Sequence, residues 1–292
     1  MSVTLDEAQI ARILQGIKIP PQPQILVDLQ MEQIMPDPDL GRIAELISQD
    51  VGLSGTILKF VNSPLFGLSN KITSIQQAVS LLGLKSVINI VNGIAIKGEM
   101  TDETIVALTR FWDTATDIAN IALNVARKVG YHSPDEAYTL GLFHNCGIPL
   151  MMSRYPDYSD VMEASYAEPE KDAILDVENR HYKTNHAVIG YYTAKSWNLP
   201  GHICKVIADH HRAEPYLDPG SAARPDERTL MSLLKLAEHI CGNFHILGGQ
   251  TEDYEWAQVG HLALDYLGLT DVDVDDLRIA FTEMGISVCN YR

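Results

Sequence analysis

The chain has 292 residues, 46% of them hydrophobic, and a formal net charge of −16 from 38 acidic against 22 basic side chains. That is enough apolar material for one large or two ordinary domains with a real core. The acidic balance and the lack of a Lys/Arg cluster argue against nucleic acid and anionic membrane as partners, and no apolar run reaches the length of a bilayer span.

Met1–Ile10 is polar and acidic rather than a secretory leader, so the expected location is the cytoplasm. Leu5, Ala8, Ile10, Ile13 and Leu14 fall at helical spacing. Ile19-Pro20-Pro21-Gln22-Pro23 predicts an extended connector. Helices follow through Ile25–Ile34, through Leu40–Ile47 with Asp37 as cap and Pro38 in the first turn, and from Gly52 to Val61. Asn62–Leu68 predicts a loop with apolar teeth. Ser74-Ile75-Gln76-Gln77 is a capping-box pattern opening a helix that ends near Gly83, and another runs through Val87–Ile94.

A long helix is predicted within Thr101–Val129, closed by Gly130–Pro134. Tyr155–Glu170, acidic and aromatic, predicts surface turns and a short helix. Glu170–His181 predicts a further helix, and Thr184 is the expected cap of one over His186–Trp197. Asn198-Leu199-Pro200 leads into Gly201–His211, and the proline-rich Glu214–Glu227 predicts a surface loop. Thr229–Cys241, Trp256–Leu267 and Val274–Val288 complete the pattern, the last with Asp271–Asp276 as an acidic entry. No alternating strand pattern and no repeat of fixed period is present. The expectation is an all-α chain, with an N-terminal helical subdomain over 1–100 and a second helical domain over 101–292.

The stretch that carries chemistry is Tyr138–Met152. It reads as a buried helix that delivers His144 and Asn145 side by side, breaks at Gly147 and restarts at Pro149. Polar groups in an apolar run cost free energy unless satisfied, so the pair either holds a ligand or joins a local hydrogen-bond network. The four cysteines, Cys146, Cys204, Cys241 and Cys289, form no C-x-x-C pair and read as reduced thiols. Cys146 has no identifiable base beside it and is read as core.

Three segments together resemble the HDOD family, bacterial output domains related to HD-type metal phosphohydrolases. They are V-N-S-P-L-F-G-L-S-N-K-I-T-S-I-Q-Q-A-V-S-L-L-G-L at Val61–Leu84, G-L-F-H-N-C-G at Gly141–Gly147, and N-H-A-V-I-G-Y-Y-T-A-K-S-W-N-L-P with I-A-D-H-H at Asn185–Pro200 and Ile207–His211. The resemblance covers about 19–211. It implies an all-helical, HD-like bundle with a role in regulation and signal transduction, in a family generally without demonstrated catalysis.

HD-type hydrolases hold a divalent metal with a histidine, an adjacent His-Asp pair and a later Asp, and the metal activates water. Carried over, these positions fall on Thr114, His144, Asn145 and Glu238. Only His144 is unchanged: Thr114 replaces an imidazole by a neutral hydroxyl, Asn145 has lost the charge, and Glu238 keeps a carboxylate one methylene further out. His186, His210 and His211 match histidines that related enzymes use at additional metal sites, and with His144 they could form a residual divalent-metal site. The favoured reading is instead capping or hydrogen-bonded core histidines, with a cationic ring at the helix end suiting the dipole, because a metal site needs a geometry that spacing alone does not supply. His132, His181, His202, His239, His245 and His261 are given no role.

The reading that follows is a non-catalytic signalling module with a degenerate HD-type site, acting through a protein partner or small ligand. The alternative is a metal-dependent phosphohydrolase or phosphodiesterase acting on a nucleotide through an atypical site.

Overall fold

The structure is a computed structural model, and it describes residues 23–62, 68–95, 102–167, 173–197 and 199–286. Among these, every regular element is a helix, as the spacing predicts. The helix expected over Leu5–Leu14, most of the connector before Pro23, the inner part of the Asn62–Leu68 loop, the junction near Met100 and Cys289 lie outside the described residues.

The N-terminal part contains α1 (Pro23–Gln33), α2 (Leu40–Ser48), α3 (Val51–Val61) and α4 (Ile75–Ala95). The cap of α2 is Asp39, whose carboxylate accepts from Gly41 N at 2.7 Å, and not Asp37. The helix starts after Asp39, so Pro38 lies before the cap instead of inside the first turn. Asp50 caps α3 in the same manner, accepting from Leu53 N at 2.7 Å. Ser74 Oγ accepts from Gln77 N at 3.4 Å, and α4 is interrupted at Gly83, where φ is 74° and ψ is 160°. That backbone conformation is open to glycine and strained for other residues, which is why the predicted break falls there.

The remainder comprises α5 (Asp102–Lys128), α6 (Pro134–Phe143), α7 (Ile148–Arg154), α8 (Tyr158–Tyr166), α9 (Ala173–Tyr182), α10 (His186–Ser196), α11 (Gly201–Asp209), α12 (Glu214–Leu217), α13 (Pro225–Cys241), α14 (Asn243–Ile246), α15 (Tyr254–Leu267) and α16 (Asp271–Glu283). Helix α5 packs along α6 and α13, and α13 is covered on another side by α15. Side chains of both parts join one continuous apolar core, among them Leu53, Ile57, Ile118, Phe143 and Leu233. Polar contacts reinforce the join. The Tyr138 hydroxyl donates to Ser48 O at 2.6 Å, and Thr139 Oγ1 donates to Thr73 O at 2.8 Å.

Three local expectations are corrected. The short helix expected within Tyr155–Glu170 is α8, but it is not a surface element: its Tyr158, Val161, Met162, Ser165 and Tyr166 are buried. Their spacing is one stripe of a helix, and its burial is hard to read from the sequence because two of the five are tyrosines, whose rings are apolar and whose hydroxyls are not. The Glu214–Glu227 loop contains α12 and ends where α13 begins, at Pro225, a residue suited to the first helical position. The acidic entry to the last helix is its first turn: Thr270 and Asp273 form a capping box and Asp271 opens α16. Carboxylates there complement the helix dipole. Among the described residues no helix is long and apolar enough to cross a membrane.

Candidate functional site

Helix α6 ends at Phe143, and the turn His144–Gly147 leads into α7 through Pro149. The turn lies hard against the start of α10. A Cβ on Gly147 would stand 2.0 Å from His186 O and 2.9 Å from Gly190 N, so only glycine lets the two backbones approach this closely. Helix α10 is capped by Asn185, which accepts from Val188 N at 2.9 Å. The expected cap, Thr184, sits one position too early. The cap makes His186 the first residue of α10, and His210 and His211 follow directly on α11.

These three histidines converge. Their ligand-capable atoms lie within 4.8 Å of one another, with His210 fully buried, His186 2% and His211 5% exposed. His186 Nε2 is 3.0 Å from His211 Nε2 and 3.4 Å from His210 Nε2. Each ring is anchored at Nδ1: His186 on Glu178 Oε1 at 2.8 Å, His210 on Ile207 O at 2.8 Å, and His211 on Glu255 Oε1 at 2.8 Å. Carbonyls and carboxylates only accept, so Nδ1 carries a proton in all three and each ring turns its Nε2 inward. The expectation of cationic rings at the end of α11 does not hold. Burial, with the neighbouring charges, pushes His210 well below its ordinary pKa. Burial does the same to His211 against the opposing pull of Glu255.

Acidic groups surround the cluster. Glu178, on α9, is fully buried and accepts from the His186 ring, from His186 N at 2.8 Å and from the Tyr158 hydroxyl at 2.7 Å. Burial alone would raise its carboxyl, but the contacts with His186 outweigh that and hold it low. Glu238 and Lys235, one turn apart on α13, pair at 2.8 Å, both nearly buried. Lys235 Nζ also reaches Glu255 Oε2 at 3.2 Å. Burial opposes the ionised form of each of these groups. The Lys235 ammonium nevertheless holds Glu238 well below the usual carboxylate range, and Glu238 and Glu255 hold Lys235 above the usual lysine range.

Of the positions carried over from HD-type hydrolases, His144 lies beside this cluster and Glu238 beside His144. His144 is fully buried, its Nδ1 donates to Gly141 O at 2.6 Å, and its ring centroid is 5.5 Å from that of His210. Its Nε2 faces Glu238 Oε1 at 3.4 Å without the alignment of a hydrogen bond. Asn145 is 2% exposed, yet neither Oδ1 nor Nδ2 has a hydrogen-bond partner. Thr114 is buried on α5, and its hydroxyl donates to Phe111 O at 3.1 Å. Cys146 donates to Gly190 O at 3.6 Å, and burial pushes its thiol far above the range of a nucleophile.

A divalent transition ion fits the convergent rings. Nitrogen ligands ~2.0–2.1 Å from a tetrahedral ion stand roughly 3.3 Å apart, close to the two separations seen. Three carboxylates, Glu178, Glu238 and Glu255, stand around the cluster against the one ammonium of Lys235, an acidic setting that suits a divalent ion. Sequence reading missed Glu178, Lys235 and Glu255. For Lys235 a signal existed: it and Glu238 interrupt a helix whose Leu230, Leu233, Leu234, Leu236, Ala237 and Ile240 are apolar all round, where a charge is costly unless paired.

A family model for the HDOD domain matches residues 19–213. An uncharacterized protein of Treponema pallidum (strain Nichols) is 31% identical over 197 residues, covering 66% of this chain and 37% of that protein. Uncharacterized protein YuxH of Bacillus subtilis (strain 168) is 32% identical over 204 residues, covering 67% of this chain and 46% of that protein. The chain thus spans less than half the length of these curated relatives. Among solved structures, the MmoQ response regulator of Methylococcus capsulatus str. Bath superposes with a TM-score of 0.68 at 19% identity, covering 91% of this chain and 99% of that one. A virulence factor of Campylobacter jejuni subsp. jejuni gives 0.64 at 20% identity, covering 91% and 92%. At these identities the likeness is one of fold.

Proposed function

The chain belongs to the HDOD domain family, and on that premise we propose that it is a non-catalytic signal-transduction module built around one divalent transition ion held by His186, His210 and His211. It acts by binding a protein partner or a small ligand. The observation that carries the metal reading is the 3.0 Å approach of two Nε2 atoms whose rings are both protonated at Nδ1. Two Nε2 atoms at that distance share a proton or a metal ion, and the third Nε2 close by, with three carboxylates around the cluster, supports the ion. The ion would supply positive charge among the surrounding carboxylates and would tie the start of α10 to the end of α11.

Two features support a binding role over hydrolysis. The HD-type donors are depleted at Thr114 and Asn145, and the histidine cluster is closed off from solvent. The name of the MmoQ response regulator agrees with a place in signalling. The net charge of −16 directs the search toward proteins and small molecules rather than nucleic acid.

The alternative, a metal-dependent phosphohydrolase acting on a nucleotide, draws on one specific observation. Three imidazoles leave a tetrahedral ion one open position, as in catalytic sites. Metal analysis of the purified protein together with a phosphatase and phosphodiesterase panel tests both. A stoichiometric ion with no turnover supports the binding module. Turnover abolished by chelation and by His144→Ala establishes the hydrolase.

A further inference from the structure

Glu255 anchors His211 from the first turn of α15. What fixes that turn is Asp253, the cap of the helix. Its Oδ1 accepts from Trp256 N at 2.9 Å, and its Oδ2 accepts from His239 Nδ1 at 2.8 Å. His239 lies on α13, and its ring stacks on the Trp256 indole with 4.4 Å between centroids and 6° between planes. Trp256 also presses on Gly260, where a Cβ would stand 2.5 Å from the indole. Arg278 of α16 completes the set. Its Nη2 donates to His239 Nε2 at 2.7 Å and its Nη1 to Asp275 Oδ1 at 3.3 Å. A guanidinium only donates, so Nε2 accepts and Nδ1 keeps the proton that reaches Asp253. Hydrogen bonds thus lead from Asp275, whose side chain is 75% exposed, to the turn that carries Glu255, and from Glu255 to the buried His211 ring.

We propose that His239 and Arg278 are positioning residues for the histidine site, holding the first turn of α15 in the place from which Glu255 orients His211. The inference rests on the reading that His186, His210 and His211 hold a divalent ion. It ties that site to α16, an element that supplies none of the three rings. The two oxygens of Asp253 have separate duties, one on the helix cap and one on His239. Without His239 the carboxylate is free to turn, the cap loosens, and Glu255, two residues on, loses its fixed starting point. The group behind a metal-binding imidazole governs its orientation and hence its affinity. The loss therefore appears at the ion, although neither His239 nor Arg278 touches it. A merely structural role would lower stability and leave affinity alone.

The test is calorimetric titration of chelator-stripped protein with zinc, with the visible spectrum of the cobalt-loaded protein as a record of ligand geometry. His239→Phe keeps an aromatic ring against Trp256 and removes both hydrogen bonds. Arg278→Met removes the donor to His239, and Arg278→Lys restores one. Val274→Ala, on the buried face of α16, loosens that helix without touching the hydrogen bonds. Titrations are run at temperatures where circular dichroism shows a folded chain. His239→Phe and Arg278→Met should each lose on the order of tenfold in zinc affinity and shift the cobalt bands, and Arg278→Lys should recover most of the loss. The double variant His239→Phe/Arg278→Met should lose no more than the worse single variant, because both act through one contact. Val274→Ala should melt at a lower temperature and bind zinc as the parent does. Parent-like affinity and cobalt bands in His239→Phe overturn the inference and leave the histidine site standing. So do losses that add in the double variant, or an equal loss in Val274→Ala. If His239→Phe does not fold, a parent-like Arg278→Met overturns the inference in its place. A parent that binds no zinc removes the histidine site and this inference with it.

Discussion

His186 and His211 aim Nε2 at each other across 3.0 Å while a different carboxylate holds each ring from behind, Glu178 for one and Glu255 for the other. The carboxylates set which nitrogen is protonated and how the ring is turned, so they govern metal affinity without touching the ion. Glu178→Gln should therefore weaken zinc binding by on the order of 10- to 100-fold, with Tyr158 and His186 still packed around it. Calorimetric titration of the stripped proteins reads this directly. Equal affinity in parent and variant would show that Glu178 does not orient the ring.

Metal should stabilise the fold. The rings come from the start of α10 and the end of α11, which an ion would tie together. At a free-ion concentration about 100 times the dissociation constant, the stabilisation is about 2.7 kcal/mol. Thermal melts with and without zinc should separate by several degrees, and His210→Ala should abolish the separation. A melt indifferent to zinc in the parent would contradict the site.

Gly147→Ala should be among the most damaging single substitutions. The added methyl would meet His186 O at 2.0 Å, a backbone atom that cannot rotate away. Overpacking of this kind costs about 1–3 kcal/mol or more. The relief, a shift of α10 away from the turn, would carry His186 with it. Urea unfolding should show the loss of stability, and metal affinity should fall in the same variant. A neutral substitution would mean that the turn and α10 are further apart than described.

Acid sensitivity should arise in part at Glu227, on the first turn of α13. Burial acts to raise its carboxyl, but Lys205 and Arg224, each at 2.8 Å, outweigh that and hold it below the ordinary value of 4.5. A folded-state pKa below the unfolded one adds stability above pH 4.5 that is lost as the pH falls through that value toward the folded pKa. Because both partners are half exposed, the contribution is about 1 kcal/mol. Glu227→Gln should be less stable than the parent at neutral pH, with the gap closing in acid. A gap that persists unchanged in strong acid would assign the loss to packing instead.

Most of the helical frame was legible in the sequence because its signals are local. The start at Ser74, the break at Gly83 and the His144–Gly147 turn all follow from residues acting on their own backbone. Where the reading slipped, two polar residues competed for one role, as with Asp37 and Asp39 or Thr184 and Asn185, and only the backbone path decides between them. The burial of α8, though not its helix, was missed for another reason: Tyr158 and Tyr166 count as apolar or polar depending on whether the ring or the hydroxyl meets the core. The histidines stood out by type and by family resemblance. Their anchors did not, because Glu178 lies 8 residues from His186 and Glu255 lies 44 from His211. Nothing in the intervening sequence marks either pairing.

The Tyr158 hydroxyl, on a fully buried ring, donates to Glu178 Oε1, the same oxygen that anchors His186. Any change in electron demand at His186 Nε2 passes through the imidazole to Glu178 and alters how strongly that carboxylate pulls on the phenol proton. The absorption of a tyrosine shifts with the strength of that pull. The molecule thus carries its own optical gauge. The near-ultraviolet difference spectrum on adding a colourless ion such as zinc should show a tyrosine band that Tyr158→Phe removes, and its growth would trace occupancy without any label.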